Sequence, residues 1–167
     1  VEAMRAVLAE VPRPKIDGTV EISLPVVTAG DTTIRDVAVV ARPRPAGWRL
    51  DSFVAEVPGR TRIEASGDLG IDRALTFEGD LLVASQQPSG FSDWLSGNVD
   101  PAVRALPRAG FSARTTLTAS RQVFDALEID VGGNPIKGRI AREEAEGATT
   151  LSADLTGGTV DLDAVLA

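Results

Sequence analysis

Residues 59–85 read GRTRIEASGDLGIDRALTFEGDLLVAS and carry the triplet Gly-Asp-Leu twice, at 67–69 and at 79–81. Folded back on a loop at Asp72-Arg73-Ala74, the stretch makes a hairpin in which Ile63 faces Val83, Ala65 faces Leu81, Gly67 faces Gly79, Leu69 faces Phe77 and Ile71 faces Leu75. Every member of that face is apolar or glycine, while Glu64, Ser66, Asp68, Glu78 and Asp80 take the other. A slip of one residue would exchange the faces, so the pattern itself fixes the register. A three-residue loop usually has glycine at its last position, and here that position is Ala74.

The repeated triplet is therefore read as architecture rather than chemistry. Two glycines opposed on an apolar face leave a notch, permit strong coiling and let another element or a ligand come close to the backbone. Gly138, between Ile136 and Ile140, repeats the device on another strand. The same glycines would also serve as bends in a β-sandwich filled by its own side chains.

Period-two alternation continues on both sides of this hairpin. Val20, Ile22, Leu24 and Val26 alternate with Thr19, Glu21 and Ser23, and further strands are predicted at 34–41, 48–57, 111–119, 122–131, 136–142, 149–155 and 159–162. Short turn clusters separate them, among them Ala29-Gly30-Asp31, the Arg42-Pro43-Arg44-Pro45-Ala46-Gly47 run, Gly132-Gly133-Asn134-Pro135 and Gly157-Gly158. About ten sequential strands with short links imply an antiparallel meander. The fold class is mainly β, a curved, groove-like antiparallel sheet within a single domain spanning 1–167.

Two segments break the alternation. Residues 1–9 suit a short helix with Met4, Val7 and Leu8 on one side, ended at Pro12-Arg13-Pro14. Residues 88–106 form a second helical insert, in which Ser89 or Ser92 caps a helix holding Phe91, Trp94 and Leu95, and Asp100-Pro101 starts another. This insert is expected on one face of the sheet or as a plug at one end. Asp125 shares parity with Val123, Leu127 and Ile129, so a bulge near Phe124 is expected to return it to solvent. Trp48 is expected at the sheet edge.

Composition narrows the chemistry. The chain has no Cys, His or Tyr, which removes thiol nucleophiles, imidazole bases, thiolate or imidazole metal sites and disulfides together. Seventeen basic against 24 acidic residues give a net charge of −7, and the scattered cations offer no track for nucleic-acid phosphates. No apolar run is long enough to cross a bilayer as a helix. The carboxylates Glu64, Asp68, Glu78 and Asp80 lack the spacing of a calcium loop, and Asp161-Leu162-Asp163 is the ordinary alternation of an exposed strand. The Val131-Gly132-Gly133-Asn134 turn opens no helix and carries no phosphate-binding lysine. No catalytic residue, metal site or cofactor is expected, and the protein is read as a non-enzyme.

The run Gly47-Trp48-Arg49-Leu50 through Val57-Pro58-Gly59, then Ile63 to Gly67, Phe77-Glu78-Gly79-Asp80-Leu81, the insert with Trp94-Leu95, Phe124 to Val131, the strand with Gly138 and the ending Leu151 to Leu162 with Asp161-Leu162-Asp163 resemble the AsmA-like proteins of the Gram-negative bacterial envelope. The resemblance spans residues 16–164 and rests on glycines at strand positions within an alternating pattern. It implies a segment of a longer periplasmic protein tethered to the inner membrane by a part of the chain outside this sequence. It further implies an elongated, taco-shaped apolar groove that conducts or shields lipids between the two membranes and affects outer-membrane assembly.

The expected function is a non-enzymatic envelope-biogenesis module that handles lipid. Its expected partners are acyl chains and the remainder of the same membrane-anchored chain. The expected groove lining is Val20, Ile22, Leu24, Ile63, Ala65, Gly67, Leu69, Phe77, Gly79, Leu81 and Val83. The alternative is a structural β-domain for protein contacts, its apolar face closed by the insert around Phe91 and Trp94.

Overall fold

The computed structural model describes residues 18–157 apart from 73, 132 and 146. The expected helix at 1–9 and the expected strand at 159–162, with the Asp161-Leu162-Asp163 run, lie outside the described residues. Nine strands follow in chain order: β1 (Val20–Ala29), β2 (Thr32–Arg44), β3 (Gly47–Val57), β4 (Thr61–Gly70), β5 (Thr76–Ser85), β6 (Ala109–Leu117), β7 (Arg121–Val131), β8 (Asn134–Ala145) and β9 (Ala148–Gly157). Two helices, α1 (Pro88–Ser96) and α2 (Pro101–Arg104), interrupt the series between β5 and β6.

All nine strands form one sheet in sequence order, each antiparallel to the next, with β1 and β9 as the edges among the described residues. The predicted meander is thus realised as an open sheet. Antiparallel order places the β1–β2 and β3–β4 turns, the helical insert and the β7–β8 turn at one end of the strands, hereafter the near end. The other links lie at the far end.

The β4–β5 hairpin has the register read from the sequence: Ile63 with Val83, Ala65 with Leu81, Gly67 with Gly79 and Leu69 with Phe77. The ladder stops at Gly70 and Thr76, so the expected Ile71–Leu75 pair does not belong to it. Instead the Ile71 amide donates to the Ala46 carbonyl at 3.1 Å, drawing the end of β4 toward the β2–β3 turn. The link is therefore longer than three residues, and the glycine a three-residue loop needs is not required.

Bulges keep the apolar side chains on one face where strict alternation would lose them. In β3, Asp51 and Ser52 together oppose Ser66, so Leu50 and Phe53 share a face although three residues apart. In β7, Asp125 and Ala126 oppose Arg139, with Ala126 at φ +48°, and Phe124 and Leu127 are brought to the same side. The bulge expected near Phe124 is present, and Asp125 is exposed and paired with Arg139 at 2.7 Å. Trp48 is not at the sheet edge: it lies on the third strand and is buried.

Burial is concentrated on one face of this single layer. Ala41, Trp48, Ala55, Val57, Val83, Ala113 and Leu127 are buried there, as are Thr61, Ser85 and Thr115. This is the apolar face of the sheet, and the helical insert is fastened against its near end, where Val57, Thr61, Val83 and Ser85 are buried. Val123 and Ala141, directly paired, are buried on the opposite face. That second face is otherwise polar and carries cross-strand ion pairs such as Arg49–Asp68 at 2.8 Å, Arg121–Glu143 at 2.9 Å and Lys137–Glu128. Each is solvent-exposed and contributes roughly 0–1 kcal/mol.

Candidate functional site

Direct pairing carries side chains of the apolar face across the sheet in rows. One row runs Val20, Ala41, Leu50, Gly67, Gly79, Thr115, Phe124, Ile140, Ala153, one residue from every strand. The row toward the near end includes Ile22, Val39, Phe53, Ala65, Leu81 and Ala113, and the row after it includes Ile63, Val83, Phe111, Ile129 and Ile136. Thr115 is the polar member of the first, and its hydroxyl donates to the Gly79 carbonyl at 3.1 Å, so the row presents no unsatisfied polar group. The result is an apolar stripe nine strands wide.

All eleven residues expected to line the groove lie on this face. Sequence reading missed the contributions of β2, β3 and β6–β9, including Leu50, Phe53, Phe111, Phe124 and Leu127. Phe111 and Phe124 meet edge to face on this side of the sheet, ring centroids 6.1 Å apart at 87°. On these edge strands the face is open to solvent: Ile22 is 42% exposed, Leu24 44%, Leu155 45% and Leu151 71%.

The glycine notch is built differently from the expectation. Gly67 has φ +153°, a conformation L side chains rarely adopt, and a Cβ there would come within 2.6 Å of the Gly79 Cα and collide with the Glu78 carbonyl. A Cβ on Gly79 would likewise stand 2.6 Å from the Gly67 Cα. The missing side chains thus permit a close approach of two backbones and a sharp bend, instead of simply leaving space in the lining. Gly138, at φ +156°, sits equally tightly against Asp154 and Leu155 of β9.

The insert sits at the near end. Gln87 begins α1 with no side-chain cap, and Pro88 occupies the first turn, so neither Ser89 nor Ser92 caps it as expected. The chain is instead fastened before the helix: the Gln87 amide donates to the Gly59 carbonyl at 3.0 Å, and buried Thr61 and Ser85 hydrogen-bond at 2.9 Å beneath it. At the other end of α1 the Trp94 indole donates to the Thr32 hydroxyl at 3.1 Å, and Phe91 packs against Trp94 at 5.9 Å. Asp100 caps α2 as expected, its carboxylate accepting from the Ala102 amide at 2.8 Å.

The polar face holds a shallow depression of about 660 Å³. Asp51, Glu64, Asp80, Glu128 and Arg114 surround it with Ser52, Ser66 and Ser112. Asp51 is held below its ordinary pKa of 3.8 chiefly by the hydrogen bond from Arg42, whose guanidinium is raised in turn. Both groups are exposed. Among the described residues no group of three or more His, Cys, Asp or Glu is arranged to hold a metal ion.

Comparison with protein-family models, with curated proteins and with solved structures gave no match. Among the described residues no helix is long and apolar enough to cross a membrane.

Proposed function

We propose that the apolar face is a concave, lipid-handling trough in which acyl chains replace the second layer that an ordinary one-sided sheet would need. The observation that carries this reading is the apolar row continuous over nine strands, with no second sheet among the described residues. Water disfavours such a surface, and each methylene withdrawn into it contributes about 0.8 kcal/mol. The near-end position of α1 supports the reading too, because the exposed leucines and isoleucine of β1 and β9 are left uncovered.

The resemblance to AsmA-like proteins extends this to a role. The domain acts without catalysis in building the Gram-negative envelope, shielding lipid within the periplasm as part of a chain tethered to the inner membrane. Titration of the detergent-free protein with a fluorescent fatty acid tests the binding step. Saturable binding, displaced by unlabelled fatty acid, is the expected result. Absence of binding would favour the apolar face as a protein-contact surface.

A further inference from the structure

Helix α1 lies at the near end of the apolar face, where Ala55, Val57, Thr61, Val83 and Ser85 are buried. Helix α1 is nine residues long, has no side-chain cap, carries no acidic residue in its first turn or basic residue in its last, and contains Gly90. A helix of that length is not stable by itself, so tertiary contacts must hold it. Its start is fixed to the β3–β4 turn through Gln87 and Gly59, where Gly90 also packs against the Gly59 Cα. Its end stops at Gly97, which takes a left-handed φ of +67° in open space. Between these points, one side-chain hydrogen bond among the described residues joins α1 to the β1–β2 hairpin: Trp94 to Thr32, 62 positions apart in sequence.

A side-chain pair of this kind, rather than a packed interface, is suited to opening without loss of the sheet. Leu95 beside it is 54% exposed, so α1 does not bury its full apolar surface when shut. The hydroxyl and indole are both neutral, and breaking one such bond costs little beside the stability of the domain.

We propose that α1 is a gate over the near end of the trough, latched by the Trp94–Thr32 hydrogen bond, so that cargo passes that end when the latch opens. The proposal rests on the reading of the concave face as an acyl trough. It makes Trp94 and Thr32 residues that set the rate of release and not the affinity of the lining.

Thr32→Val removes the acceptor with little change of shape, and Trp94→Phe removes the donor while keeping a ring. Amide exchange of residues 91–97 followed by mass spectrometry should speed up roughly fivefold in each, the factor one neutral hydrogen bond supplies. Exchange in β4 and β5 should be unchanged. Release of a preloaded fluorescent fatty acid should quicken by a similar factor, and the double variant should be no faster than either single one. Unchanged exchange in α1, or an equal rise throughout β4 and β5, would overturn the latch. Faster exchange with unchanged release would overturn the gate and leave the trough standing. If the parent protein takes up no fatty acid, the trough reading fails and the gate with it, while the exchange measurement still decides whether the latch opens.

Discussion

Gly67 and Gly79 meet across β4 and β5 so closely that a Cβ on either would lie 2.6 Å from the other's Cα. This contact lies halfway along a row of paired residues that reaches from β1 to β9. Gly67→Ala is expected to destabilise the domain by about 3 kcal/mol, combining an unfavourable φ with a backbone collision. Gly30→Ala, in a turn where a Cβ would meet nothing, is expected to cost only about 1 kcal/mol. Urea unfolding of the two variants measures the difference.

Leu81 and Leu82 are adjacent in β5 and point to opposite faces, Leu81 into the trough and Leu82 onto the polar side. Leu81→Gln is expected to weaken fatty-acid binding about tenfold, the effect of roughly 1.4 kcal/mol of lost apolar contact. Leu82→Gln is expected to leave binding unchanged. Fluorescent fatty-acid titration of both separates trough binding from general stickiness, because the two substitutions are chemically identical.

Ala126 holds a left-handed φ of +48° in the β7 bulge, a conformation that disfavours any residue with a Cβ. Ala126→Gly is expected to stabilise the domain by about 1 kcal/mol, and Ala126→Val to destabilise it by more than that. Thermal or urea unfolding reads both. The opposite order would mean that the bulge tolerates its residue for another reason.

The pairing with Arg42 lowers the pKa of Asp51 in the folded state below its ordinary value of 3.8. A depressed carboxylate stabilises the fold above the unfolded pKa and loses that contribution as pH falls through the lower folded value. The Tm gap between the parent protein and Asp51→Asn is therefore expected to be constant above about pH 5 and to close below about pH 4. Because both side chains are exposed, the gap itself is expected to be small.

Where alternation ran unbroken, the sequence was directly legible. The β4–β5 register, the Asp100 cap and the bulge at Asp125 follow from residue pattern alone, because one polar residue on an apolar face is a strong signal. The wider trough was not read, since its lining crosses the Asp51/Ser52 bulge in β3 and the corresponding break in β7. The three-residue intervals from Leu50 to Phe53 and from Phe124 to Leu127 were the available clue. The geometry of Gly67 could not be read, because sequence names a glycine without giving the sign of its φ or the distance to the opposite strand. The start of α1 was misplaced because Pro88 and the Gly59 contact replace the serine cap that pattern suggests.

Native mass spectrometry of the protein purified without detergent tests the trough most directly. Adducts with the masses of acyl-chain lipids are expected on the parent protein and on Leu82→Gln, and are expected to be largely lost from Leu81→Gln. A protein free of lipid adducts that also fails to take up fatty acid, or adducts equal in all three forms, would contradict an acyl-binding concave face.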